Sequence, residues 1–339
     1  MAFIAETEVL SDTGWKKIED IAGQDRILVR NFLGDAQFLK PFAIRRKKYD
    51  GRVILGGSKH YSFKVTPTHE IVYTDKNDKQ FKAIADGVSV HSGNYLQHRS
   101  RYYPQNNFPQ QFIKTGNIDN SIENVDWYKL VGYVLRKGRI DTQKDRLFLS
   151  LDKDNLKKDM DLICGVLDNM GLEWTFVEPK TIVVSQKSNI ANKLVIALGS
   201  RPRKNMHIPD KMIYNSTTEY ATALLETFMR ASRKDGKGVD KILQFTTSNK
   251  KLIKSMEILG LLSGYTVSSR LIRLAGYKIP AGVTKRNSYA VYIRKSMNEV
   301  NITVKRNEQY LGTVYEIDIF EGQVMTRVEG SLPIWMQPK

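Results

Sequence analysis

Two sets of side chains in this 339-residue sequence have types and spacings suited to chemistry. One is Thr66-Pro67-Thr68-His69, a Thr-x-x-His after a strand-like run, whose histidine titrates near neutrality and so suits general acid work. That short pattern alone says little. The other set is basic. Arg270, Arg273, Tyr289, Tyr292, Arg294 and Lys295 interleave positive, polar and aromatic groups on strand-like runs, as a sheet lying in a nucleic-acid groove requires. Lys250 and Lys251 open a helix from which they could reach a phosphate, although a solvated surface suits them equally. Lysine and arginine outnumber aspartate and glutamate 53 to 36, a net charge of +17, which favours a polyanionic partner bound by phosphate neutralisation and counterion release.

The elements that must position these groups repeat. Leu130–Gly138, LVGYVLRKG, and Leu225–Arg233, LETFMRASR, both read as helices with a small or short third residue, Gly132 and Thr227, so two such helices can cross with their backbones close. After the first come strand-like runs at Arg146–Leu151, Glu173–Val177 and Thr181–Ser185 and a helix at Leu156–Met170. After the second come runs at Lys241–Thr247, Thr266–Leu274 and Ser288–Arg294 and a helix at Lys250–Leu262. The fold class expected is mixed, with two αββαββ repeats related by a pseudo-twofold in a monomer. The first ninety-odd residues read as all β, with strands around Lys40–Lys47, Val53–Leu55, Tyr61–Val65 and Glu70–Thr74 and a helical turn at Ile18–Ile21. Periodicity vanishes between Val90 and Asn120, a linker or an arm; Arg99, Arg101, Tyr102 and Tyr103 there suit a phosphate backbone or an ordinary surface loop equally.

Composition excludes several classes. The single cysteine, Cys164, lies in a helical apolar pattern and reads as a buried structural thiol, so neither a disulfide framework nor a cysteine zinc cluster is available. No apolar run reaches membrane-spanning length, no leader pattern opens the sequence, and no amphipathic helix with a basic face suggests a membrane surface. The expectation is an intracellular protein, cytoplasmic or nucleoid-associated.

LVGYVLRKG resembles the first motif of the LAGLIDADG homing endonucleases, and LLETFMRASR followed by FTTSNKKLIKSMEILGLLSGYTV resembles the second motif and the block after it. The resemblance implies paired helices ending over double-stranded DNA, two sheets forming a saddle on the major groove, and an acid at the eighth position of each motif to hold a divalent metal such as magnesium. Here the eighth positions are Lys137 and Ser232. Metal-bound carboxylates activate water and stabilise the leaving oxygen, whereas a lysine repels the metal and keeps attraction to phosphate. Lys137 therefore favours binding over cleavage. Asp141 and Asp235, a turn further on, are alternative acids, though turn residues beside Gly138 and Gly236 are the simpler interpretation.

Glu6–Ile21, E-T-x-V-L-x-D-x-G-W-x-x-I-x-D-I, with Thr66-x-x-His69 after it, resembles the opening of an intein, and Gly312–Met336 resembles the last intein blocks. This implies an all-β Hint domain split by the endonuclease: residues 1–95 and 302–339 around a linker or DNA-contacting arm at 96–123 and repeats at 124–200 and 215–301. By the same resemblance Thr66 polarises the amide at the upstream splice junction and His69 protonates its leaving amine. Ala2 falls at the first splicing nucleophile, and a methyl group cannot attack. Gln337 and Pro338 fall at the downstream His-Asn pair and Lys339 at the nucleophile after it; a one-residue slip puts Met336 and Gln337 at the pair instead. Glu316, where relatives carry cysteine or aspartate, remains a proton carrier or orienting group.

Three functions fit. The first is an intein-derived homing endonuclease with splicing disabled and cleavage weakened or lost. The second is a DNA-binding protein without nuclease chemistry, and the third a Hint autoprocessing protein trapped as a precursor.

Overall fold

In the computed structural model, residues 1–58, 61–74, 80–88, 95–97, 101–102, 124–141, 143–151, 156–178, 180–185, 189–198, 207–231, 243–279, 282–295, 299–328 and 331–338 are described. They are mixed α and β, with many strands and few helices, in two compact units, Met1–Gln105 with Ser296–Lys339, and Asn106–Lys295.

The first unit is built of β-structure. Phe3–Ile4, Val304–Asp318, Ala43–Gly57 and Ser62–Val65 close a small barrel. Thr7–Ser11 lies in a second sheet between Ile27–Arg30 and Gln323–Val328, with Ile334–Met336 beyond. Val9, Ile27, Val65, Ile317, Val324 and Ile334 are fully buried together in its core. Burying side chains of this kind contributes about 1.5–3 kcal/mol each against leaving them in water.

The longest ladder here was hidden in the sequence. Ala43–Gly57 is one strand of 15 residues rather than the two pieces expected, paired throughout with Val304–Asp318. Arg45, Arg46, Lys47 and Lys48 are all exposed, so neither face shows the alternation by which a strand is recognised. The C-terminal part holds three strands, Val304–Asp318, Gln323–Val328 and Ile334–Met336. Two further corrections concern residues 95–102. Tyr95–Gln97 pairs with Glu299–Asn301, which places Glu299–Asn301 in the split unit rather than the inserted one. Arg101–Tyr102 pairs in parallel with Asp35–Ala36, and Tyr102 is buried edge-on to Phe38 at 5.9 Å. Tyr102 is a packing residue and not a phosphate contact; Arg99 and Tyr103 lie outside the described residues.

In the second unit, helix α1 (Asn124–Lys137) leads to an antiparallel sheet in the order Gly138–Asp141, Arg146–Ser150, Thr181–Val184, Trp174–Glu178. Helix α2 (Leu156–Asn169) joins its halves and closes on Gly171 at φ +62°, the Leu172 amide donating to the Leu167 carbonyl at 2.9 Å. Helix α3 (Ile190–Leu198) and the short α4 (Asp210–Tyr214) follow, neither read in the sequence. Helix α5 (Thr218–Arg230) is capped by Thr217, whose hydroxyl accepts from the Tyr220 amide at 3.2 Å. Helix α6 (Lys250–Leu262) is capped by Asn249 accepting from Leu252 at 3.1 Å, and Gly264 at φ +73° follows it. The strands Leu243–Thr247, Ser288–Lys295 and Tyr265–Arg273 form the second sheet, in an order matching the last three strands of the first. Among the described residues no helix is long and apolar enough to cross a membrane. Cys164, on α2, is half-buried rather than buried.

Candidate functional site

Strand Ser62–Val65 ends in the turn Thr66–His69, closed by the His69 amide donating to the Thr66 carbonyl at 2.9 Å. That turn clasps the start of the neighbouring strand. The Ala2 amide donates to Thr66 Oγ1 at 3.1 Å, and the Thr66 amide donates to the Ala2 carbonyl at 3.0 Å. The nitrogen of the peptide bond joining residues 1 and 2 is thereby fixed against a hydroxyl.

His69 has no solvent exposure, lies edge-on to Phe3 at 4.6 Å, and neither ring nitrogen makes a hydrogen bond of ordinary geometry. Burial is the main force lowering its pKa to about 3, helped by the charge of the amino terminus. The backbones of Gln337 and Ala2 lie near enough to act in the opposite sense, favouring the cation. Ala2, Thr66 and Gln337 therefore gather about one neutral imidazole. Gln337 is half-buried and Pro338 buried. Glu316 Oε1 lies 3.7 Å from the Met1 amino nitrogen, on the strand that pairs with Phe3–Ile4. Residue 2 itself contributes only a methyl group.

In the inserted unit α1 packs on α5 at Gly132. A Cβ there would stand 2.4 Å from the Leu224 carbonyl oxygen, closer than any side chain permits, and Thr227 is buried on the opposite helix. In the last turn of α1, Arg136 lies over the Phe245 ring at 6.0 Å and Lys137 is half-buried. Asp141 Oδ1 accepts from the amides of Gln143 and Lys144 at 3.1 and 3.2 Å, so it holds a turn. Ser232 and Asp235 lie outside the described residues. The donor set that is described does not favour a divalent ion: Lys137 is a cation, and Asp141 Oδ1 already accepts two amide hydrogen bonds of its own turn.

Strand register divides the basic residues of the sheets. Ser268 pairs with Tyr292, Arg270 with Ala290 and Thr266 with Arg294, while Gln244 pairs with Tyr292 and Thr246 with Ala290. These positions share one face, opposite the one that buries Phe245, Val267, Val291 and Ile293 against α5 and α6. Gln244, Thr246 and Arg270 are exposed there, and Tyr292 is half-buried. Arg273 is exposed beyond a bulge. Lys250 and Lys251 are exposed on α6, on the core side of the sheet, and Lys250 Nζ lies 5.8 Å over Tyr289. The sheet thus separates them from Arg270.

The first sheet has a comparable outward face. Arg139, paired with Phe148 and stacked on its ring at 4.5 Å, shares it with Arg146, and both arginines are exposed. Arg139, Arg146, Gln244, Thr246 and Ser268 escaped the sequence reading, although alternation counted outward from Leu147 and Phe245 would have found Arg146, Gln244 and Thr246.

No protein-family model matches the chain, and no curated protein matches it. Solved structures similar to parts of it fall into two groups. An intein-like domain from Clostridium thermocellum is 21% identical, over 28% of this chain and 65% of that one, with a TM-score of 0.25. The AceL NrdHF class 3 split intein is 20% identical, over 28% and 62%, with a TM-score of 0.26. The chain thus spans less than two thirds of the length of either intein structure. The homing endonuclease I-WcaI bound to its DNA recognition sequence is 11% identical, over 57% of this chain and 84% of that one, with a TM-score of 0.32. The structures to which this chain is similar therefore include inteins and LAGLIDADG homing endonucleases, the two families that its motifs resemble.

Proposed function

We propose that this chain is an intein-derived LAGLIDADG protein that binds a long double-stranded DNA site through the outward faces of its two sheets, without splicing itself and without cutting the DNA. The carrying observation is the register that puts Arg139 and Arg146 on one face and Gln244, Thr246, Ser268, Arg270 and Tyr292 on the other sheet's corresponding face. Arginines supply phosphate neutralisation and guanine recognition, and amides and hydroxyls supply adaptable base-edge contacts. The excess of basic residues, +17 in all, supports the same partner.

Loss of cleavage rests on donor chemistry. Lys137 cannot ligate a metal as an ammonium, and Asp141 is committed to its turn. Loss of splicing rests on Ala2, because the Thr66 and His69 arrangement has no oxygen or sulfur at residue 2 to receive an acyl group. The test is selection of bound duplexes from a random library, followed by incubation of the recovered duplex with magnesium or manganese. An enriched sequence that stays intact supports the proposal. Nicking would restore the endonuclease reading and make Asp141 and Asp235 the first acids to replace; no enrichment would remove the DNA partner.

A further inference from the structure

Beyond the second sheet the pairing of Tyr265–Arg273 with Ser288–Lys295 continues into a smaller hairpin, Lys278–Ile279 against Gly282–Val283. The tip is tied down. The Gly276 amide donates to the Thr284 carbonyl at 2.7 Å, the Thr284 amide to the Tyr277 carbonyl at 2.9 Å, and Thr284 Oγ1 to the Leu274 carbonyl at 2.8 Å. The Ala275 amide donates to Asn287 Oδ1 at 2.8 Å, and Gly276 takes the turn at φ +87°.

The residues so tied hold large apolar side chains in water. Leu274, Tyr277 and Val283 are 61%, 57% and 57% exposed. The hairpin's own charged residues are all positive: the sequence has no aspartate or glutamate between Glu257 and Glu299, and the hairpin carries Arg270, Arg273, Lys278, Lys285 and Arg286, with Glu257 Oε1 accepting from Ser269 Oγ at 3.3 Å at its base. An apolar cluster wants an apolar surface, and a basic collar wants an anionic one. Duplex DNA presents both within a few ångströms, base faces inside and phosphates outside.

We propose that the Leu274–Tyr277–Val283 tip is a wedge that enters duplex DNA, opens a base step and kinks the helix, while the basic residues around it hold the flanking phosphates. This rests on the DNA-binding reading given above. An anionic lipid surface has similar chemistry, but the sheet that continues into the tip also presents Gln244, Thr246, Ser268 and Tyr292, hydrogen-bonding groups suited to base edges rather than headgroups.

The test compares the full chain with a Leu274→Ser, Tyr277→Ser, Val283→Ser triple variant on the duplex recovered by selection. That duplex carries 2-aminopurine at successive steps and a dye pair at its ends, and phosphatidylserine vesicles serve as a parallel probe. All three side chains are solvent-exposed, so the variant should melt at the same temperature as the parent. The parent should brighten 2-aminopurine at one step and shorten the end-to-end distance. The variant should lose both signals and bind roughly tenfold more weakly with an unchanged salt slope. A parent that binds without brightening or bending overturns the wedge and leaves DNA binding standing, as does a variant that kinks DNA like the parent. Vesicle binding lost in the variant, with an unaltered DNA complex, assigns the tip to lipid and overturns the wedge. If the parent binds no duplex at all, the function and the wedge fall together.

Discussion

Ala2 and Thr66 exchange two hydrogen bonds, Ala2 N–H to Thr66 Oγ1 at 3.1 Å and Thr66 N–H to the Ala2 carbonyl at 3.0 Å, so the first two peptide units are aligned as in a short ladder. On the proposed reading, this clasp with His69 beyond it would serve an acyl shift at residue 2, where the side chain is a methyl. A reporter peptide fused upstream of Ala2 should therefore stay attached when the protein is treated with thiol. With Ala2→Cys the reporter should be released, and adding His69→Ala should slow that release by about 100-fold, the scale of a lost acid–base group. Mass spectrometry reads each species. Release from the unmodified protein would show that residue 2 is not the junction.

His69 also sets a pH dependence. Its pKa is lowered from 6.5 to about 3 in the folded protein, so between those values the unfolded chain binds the additional proton. The stabilisation is present above pH 6.5 and is lost as the pH falls towards 3. Denaturant midpoints of the parent should drop across that window, and those of His69→Gln should drop less. Parallel curves would place His69 in a wetter site than its burial indicates.

Gly132 and Gly165 make opposite predictions on neighbouring helices. A methyl at Gly132 meets the Leu224 carbonyl at 2.4 Å, whereas nothing lies within 4 Å of one at Gly165. Gly132→Ala should destabilise by about 1–3 kcal/mol through overpacking of the α1–α5 crossing. Gly165→Ala should stabilise by up to about 1 kcal/mol through helix propensity. Equal effects in chemical denaturation would mean the two helices do not cross at Gly132.

How legible these features were depends on how local their cause is. A glycine among apolar residues in LVGYVLRKG announces a close approach because only a missing side chain allows one. The paired ends of α2 and α6 were legible for the same reason, since Gly171 and Gly264 take positive φ. Ala43–Gly57 was not legible as one strand, because its exposed RRKK run carries no period and only the distant Val304–Asp318 fixes it. Tyr102 was misplaced because two residues of parallel pairing and one aromatic contact leave no pattern in a stretch of such irregular sequence. The proximity of Gln337 to His69 is a product of tertiary closure across nearly the whole chain. Arg146 was overlooked although its strand had been found, because the faces were not counted out, and Arg139 because Gly138–Asp141 was not read as a strand.

Lys137 tests the phosphate side of the site. Lys137→Asp in the presence of EDTA should weaken binding to the selected duplex several-fold, because an attractive contact becomes a repulsive one. Unchanged affinity in a gel-shift titration would mean that the end of α1 does not face the DNA.

The most direct measurement of the account is affinity for the selected duplex against salt concentration, for the parent and for Arg139→Ala, Arg270→Ala. If both outward sheet faces lie on DNA, log affinity should fall steeply and linearly with log salt, and the double variant should bind more weakly with a slope shallower by about two, one for each lost phosphate contact. An affinity nearly independent of salt, or a double variant with the parent's affinity and slope, would contradict the claim that these two faces bind DNA.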